Sequence, residues 1–247
     1  MEYRSLVMPK KRSRVRHVQL SLDEARRPMG HGGWRPGAGR PRTRTGVSHD
    51  AREPVAATHP QHVTLRIVEG VRSLRRRPVV AVIRDAIARG HREDFRVTQF
   101  NVESNHLHLV IEARGNAARA KGLQGLQVRI ARRANRVLGR SGSLFADRYH
   151  ARALKTPREV RHVLRYVLNN ARHHQPECVA FDGAWIDPCS SAAWFEGWRE
   201  PIRPDTWWKR ELLGLPSPVA RPTIWLLTVG WRRHGLIAFD EMPGSPR

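Results

Sequence analysis

Residues 95–102 read as a strand, and the short turn Glu103-Ser104-Asn105 leads from it into the apolar stretch 105–112. A connection that short makes the two segments pair as an antiparallel hairpin, so the chain must be organised around a sheet. The second segment carries His106-Leu107-His108. Side chains alternate along a strand, so both imidazoles share one face, about 7 Å apart along the backbone, while Leu107 enters the opposite layer. Such a pair either holds one metal ion or is tolerated near a strand end. The pair alone does not choose.

The order of elements follows from the same patterns. Residues 62–68 alternate and are β-branched, which predicts a strand. Residues 78–90 place Val79, Val80, Val82, Ile83, Ala86 and Ile87 at helical spacing, with Gly90 as the stop. After the hairpin, residues 117–138 predict a long helix with Leu123, Leu126, Val128, Ile130, Ala134 and Val137 bracketed by Arg129, Arg132, Arg133 and Arg136. A loop at 142–149 leads to a short strand at 149–154. Thr156-Pro157-Arg158-Glu159 then supplies an N-cap, a first-turn proline and a capping glutamate for a helix reaching about residue 174. The order β-α-β-β-α-β-α is a ferredoxin-like split βαβ with an added helix, an α+β fold on an antiparallel sheet.

That last helix has two contrasting faces. Val160, Val163, Leu164, Val167, Leu168 and Ala171 occupy one arc, the expected core side. Roughly opposite lie His162, Tyr166, Asn169, Asn170 and His173, flanked by Arg161, Arg165 and Arg172. A solvated face normally carries Lys, Glu or Gln. This face instead places a phenol, two amides and two imidazoles in line, beside three arginines that can hold phosphates, although Tyr and Asn also occur on plain surfaces.

Composition narrows the partner. The chain has 247 residues, with 45 Lys and Arg against 22 Asp and Glu, a net charge of +23. That excess points to a polyanion, nucleic acid first. No apolar run is long enough to span a bilayer, no signal-peptide core follows Met1, and no basic amphipathic membrane helix is evident. Two cysteines, Cys178 and Cys189, make no disulfide framework and have a poor zinc spacing; a reducing cytoplasm, with the protein on the nucleoid, is the expected compartment. Residues 1–57 read as a basic, Gly/Pro/Arg-rich disordered arm. Within it, residues 35–42 resemble an AT-hook, in which Arg40 and Arg42 would enter a minor groove; a general phosphate-binding arm fits equally.

Taken together, residues 105–110, 144–149 (Leu-Phe-Ala-Asp-Arg-Tyr) and 166–170 (Tyr-Val-Leu-Asn-Asn) resemble the single-tyrosine HUH transposases. More specifically, they resemble the REP-associated tyrosine transposases and the related insertion-sequence transposases that act on single-stranded DNA. The resemblance spans about residues 59–174, so residues 58–175 are taken as the catalytic domain. It implies that His106 and His108 are metal ligands, Tyr166 the nucleophile and Asn170 the polar ligand that completes the metal shell. One departure is Asn170-Ala171, where members often have Asn-Pro.

The implied chemistry is strand cutting and rejoining on single-stranded or hairpin DNA through a 5′-phosphotyrosine, which conserves the energy of the broken bond. A free phenol, pKa about 10, is a poor nucleophile at neutral pH. A divalent cation would polarise the phosphate; two imidazoles suit Mn²⁺, while abundance favours Mg²⁺. Zinc lacks an evident third His, Asp or Glu. His162, one turn before Tyr166, is a candidate for proton transfer, against a surface or phosphate-contacting role. Arg129, Arg132, Arg133, Arg136, Arg148, Arg152, Arg161 and Arg165 are candidates for tracking the DNA backbone. The alternatives are a non-catalytic DNA-binding protein on the same scaffold and a replication-initiator or relaxase type of HUH nuclease. The protein would work as a monomer or a homodimer.

Residues 176–247 form a Trp-rich extension with seven of the eight tryptophans. They either fold back to bury their indoles or offer stacking platforms to unpaired bases. Residues 223–231 could form a helix or a strand there.

Overall fold

The computed structural model describes residues 54–174 and 185–242. The basic arm up to residue 53, with Arg40 and Arg42, lies outside the described residues, as does Cys178.

The chain runs β1 (Gln61–Arg66), α1 (Arg77–Ala88), β2 (Phe95–Val102), β3 (His106–Ala113), α2 (Asn116–Leu138), β4 (His150–Ala153) and α3 (Pro157–His174). Beyond it come a 3₁₀ turn at Ala192–Trp194, α4 (Trp207–Leu213), α5 (Trp225–Thr228) and a second 3₁₀ turn at Gly230–His234. The strands form one antiparallel sheet in the order β2-β3-β1-β4, the split βαβ arrangement that the element order implies. Residues 223–231 therefore fold as helical turns. No helix among the described residues is long and apolar enough to cross a membrane.

The sheet has two unlike faces. Val63, Leu65, Leu107, Leu109 and Ile111 point into a closed apolar layer against α1 and α2. Strand β2 contributes Phe95, Val97, Phe100 and Val102 to it, a set that breaks strict alternation. A β-bulge between Val97 and Gln99 accounts for the break. The extra residue shifts the parity of β2, so Gln99 and Asn101 join the other face. Helix α2 approaches the sheet closely at Gly122, where an added Cβ would lie 2.2 Å from the Phe95 ring. On α2 the expected apolar positions Leu123, Leu126, Ile130 and Ala134 are buried, but Val128 and Val137 are exposed. No partner element covers that side of the helix among the described residues.

Helix α3 lies on the second face, where Val160, Val163, Leu164, Val167, Leu168 and Ala171 are all buried as its periodicity requires. Its start is the expected capping box: Glu159 N donates to Thr156 Oγ1 at 3.2 Å and Thr156 N to Glu159 Oε2 at 3.1 Å. Residues 185–242 complete this layer. Trp198, Trp231, Phe195, Ile237 and Phe239 pack with α3 and Val110, while Trp207 and Trp225 stay exposed. Buried Glu112 on β3 accepts Thr223 N, Thr223 Oγ1 and Ile224 N at 2.8–2.9 Å, fastening the start of α5 to the sheet. Asn169 does not face solvent as the helical wheel suggests. It is buried, donating to Ala238 O and Glu241 O, because the extension covers that arc.

Candidate active site

Strand register assembles a polar patch on the second face. Thr64 pairs with His108, His150 with Thr64, and Asn101 with His108, so one cross-strand row reads His150, Thr64, His108, Asn101. Arg152 and His62 stand in the next row, and Arg66 is paired with His106. The tight turn at Ser104 and Asn105, with Glu103 N donating to His106 O at 2.9 Å, sets where this row begins. His106 Nε2 and His108 Nε2 meet at 2.9 Å, and His106 Nδ1 is 2.7 Å from Asn105 Oδ1.

Helix α3 brings Tyr166 to the pair. Its phenol oxygen lies 3.4 Å from His108 Nε2 within the same chain, and its ring stands edge-on to the imidazole. Burial, and then the charge of Glu103, raise the phenol's pKa above its ordinary value. Tyr166 is thus well placed and poorly ionised. One turn on, Asn170 is fully buried and donates through Nδ2 to Glu103 Oε1 at 2.9 Å. Its Oδ1 has no hydrogen-bond partner among the described residues.

Several supporting residues had not been singled out from sequence. His62 Nε2 is 3.1 Å and Thr64 Oγ1 3.3 Å from His108 Nδ1. Burial, reinforced by Arg152, His150 and His106, lowers the His62 pKa to about 4, so at neutral pH this ring is uncharged. A neutral His62 that accepts from His108 Nδ1–H leaves His108 Nε2 as a lone-pair donor toward His106 and Tyr166. Glu103 is also buried, and desolvation, which outweighs Arg75, pushes its carboxyl up to about 7. The period-two run His62, Thr64, Arg66 was the available signal for the β1 residues. Nothing local marks Glu103, whose role depends on a helix more than 60 residues away.

These groups line an open cavity of about 1040 Å³ with Arg66, Arg75, Glu103, His150 and Arg152 on its walls. Of the arginines expected to track DNA, Arg152 lines the cavity and Arg148 is exposed near β4. Arg161 and Arg165 are turned elsewhere: both bind Glu241 of the extension, and Arg161 also donates to Gly235 O and Leu236 O. Arg129, Arg132, Arg133 and Arg136 sit on α2, which packs against the apolar face, and none lines the cavity. Arg133 pairs with Asp85. His162 is exposed outside the cavity, its pKa lowered by partial burial and by Arg165, Arg158 and Arg161. Cys189 is a buried thiol pushed up to about 11 by desolvation.

The donor set can be tested against a divalent cation. No group of three His, Cys, Asp or Glu among the described residues is arranged to hold one. Two imidazoles and an amide oxygen lie outside that definition, however, and three features fit. Two nitrogens about 2.1 Å from a common ion and at right angles would lie about 3.0 Å apart, matching the separation of His106 Nε2 and His108 Nε2. Two lone pairs at that distance repel unless a proton or cation lies between them. The unpartnered Asn170 Oδ1 is an oxygen donor of the kind hard cations take.

Residues 75–170 match a family model described as "Transposase IS200 like". Among solved structures the chain is similar to one described as "Structure of the REP associates tyrosine transposase bound to a REP hairpin". That similarity has 15% identity and a TM-score of 0.43, over 52% of this chain and 74% of that one. No curated protein sequence matches the chain.

Proposed function

Because residues 75–170 match an IS200-like transposase family model, we propose that the chain cuts and rejoins single-stranded or hairpin DNA through a covalent bond to Tyr166. The observation that carries this reading is the 3.4 Å approach of Tyr166 Oη to His108 Nε2, beside His106, in a cavity with arginine on its walls. Tyr166 Oη attacks the scissile phosphorus, the P–O3′ bond breaks, and the phosphate stays on the phenol as a 5′-phosphotyrosine with a free 3′-OH on the other fragment. The phenolic proton leaves through the open cavity. Reversal by a 3′-OH restores the phosphodiester and releases Tyr166, so the energy of the bond is not lost to hydrolysis.

His106 and His108, with Asn170 Oδ1, would hold the cation, Mg²⁺ or Mn²⁺, which supplies positive charge at the phosphate as negative charge develops there. The protein's own groups do the rest. His62 and Thr64 hold the His108 ring in one orientation. Arg66 and Arg152 hold backbone phosphates along the cavity, and exposed Arg148 is a further candidate. The basic arm, with Arg40 and Arg42, and the exposed α2 arginines add sequence-independent attraction.

The test is a labelled single-stranded hairpin incubated with the protein and Mn²⁺ or Mg²⁺. The expected product is a denaturant-resistant protein–DNA adduct that Tyr166→Phe does not form. An identical adduct from Tyr166→Phe would sink the assignment. Hairpin binding without any adduct in the wild type would favour a non-cutting DNA-binding protein on the same scaffold.

A further inference from the structure

A run of buried and partly buried contacts reaches Asn170 from outside the transposase-like segment. It begins at Asp187 in the C-terminal extension, whose carboxylate accepts Arg75 Nη2 at 2.8 Å, Arg75 Nη1 at 3.0 Å and Asn101 Nδ2 at 3.0 Å. Arg75 Nη1 also donates to Val102 O at 2.9 Å, which ties the guanidinium to the end of β2. From there it stands 3.8 Å from Glu103 Oε1. That same oxygen accepts Asn170 Nδ2. Arg75 is therefore fixed on three sides, and Glu103 is held between it and α3.

The chemistry of this last contact sets the orientation of the amide. Glu103 Oε1 faces the Arg75 guanidinium, which carries only donors, so this oxygen acts as an acceptor; Asn170 presents its nitrogen to it and turns its oxygen away. An amide with no such neighbour can rotate by 180° about its last bond with little change in shape. In this structure Asn170 Oδ1 is the atom left without a partner although the residue is fully buried. A buried acceptor with no protein partner is available to a cation or to a water.

We propose that Glu103, braced by Arg75 and Asp187, is a positioning residue that fixes the Asn170 amide with its oxygen presented to the cation. The C-terminal extension thereby shapes the metal site, although it lies outside the matched family segment. The inference rests on the metal reading of the proposed function, and it deepens that reading by adding Glu103, Arg75 and Asp187 to it.

The test is Mn²⁺ binding to the full chain, followed by the electron paramagnetic resonance of the uncomplexed ion, with His108→Ala as the blank. Glu103→Ala is expected to weaken binding by about tenfold or more and Glu103→Gln, whose carbonyl still accepts from Asn170, to stay within about threefold of wild type. Should Glu103→Ala fail to fold by circular dichroism, Glu103→Met, which fills the volume without an acceptor, is read in its place. Unchanged affinity in Glu103→Ala overturns the inference. So does a Glu103→Gln protein as weak as Glu103→Ala, because charge and not acceptance would then be what matters. Wild-type protein that binds no more Mn²⁺ than His108→Ala contradicts the metal reading itself, and the inference with it.

Discussion

The two faces of the single sheet follow opposite rules. Toward α1 and α2 every side chain from β3 is aliphatic, and Leu107, Leu109 and Ile111 are fully buried. Toward α3 the same strand presents His106, His108, Val110 and Glu112, half of them facing an open cavity. Alternation lets one strand serve both purposes at once. The closed face fixes the backbone, and the backbone fixes the spacing of the imidazoles on the open face. The spacing of the site is therefore set partly by residues on the opposite side of the sheet.

The largest effect should come from the closed face. Phe100→Ala removes a fully buried ring and is expected to cost about 3–5 kcal/mol in urea unfolding. A loss under about 1 kcal/mol would mean that this layer does not anchor the sheet.

The open face should instead reveal itself through pH. His62 titrates near 4 when folded and near 6.5 in its ordinary state, so between those values only the unfolded chain takes up the proton. Stability is therefore lost as pH falls from about 6.5 to about 4, in all about 3 kcal/mol. Glu103 acts with the opposite sign. Its folded pKa of about 7 exceeds the ordinary 4.5, so the folded state keeps a proton and gains stability as pH falls through that window. The two contributions offset each other in the wild type between about pH 4.5 and 6.5. Glu103→Gln removes one of them, so its Tm should fall on acidification where the wild-type Tm holds nearly level. Parallel Tm curves for the two proteins would contradict the burial of Glu103.

Smaller differences should separate the arginines by face. Arg66→Ala and Arg152→Ala should each reduce the slope of log affinity against log salt by about one for a single-stranded hairpin, and should lower cleavage. Arg132→Ala and Arg136→Ala, on α2 away from the cavity, should leave the cleavage rate of bound DNA unchanged. A cleavage defect in the α2 variants alone would place the reacting strand on the wrong side of the sheet.

Local pattern carried much of this arrangement. The hairpin at Glu103-Ser104-Asn105, the shared face of His106 and His108, the capping box at Thr156 and the buried stripe of α3 all arise from neighbours in the chain. What local pattern could not show depends on distant pairing. The β2 bulge that turns Asn101 toward the site is set by the partner strand. The burial of Asn169 and Asn170, and the capture of Arg161 and Arg165 by Glu241, depend on residues 67 to 80 positions away. A helical wheel treats everything off the core stripe as solvent. Here the extension makes a second core on that side.

In the proposed function the open face of one chain is a complete cutting site, with Tyr166 and His108 acting together. Mixing Tyr166→Phe and His108→Ala proteins, each inactive alone, tests it most directly on a labelled hairpin with Mn²⁺. If both residues act within one chain, the mixture forms no covalent adduct at any ratio while wild-type protein does. Restoration of adduct in the mixture would mean that Tyr166 serves the histidines of another copy, and would contradict the account.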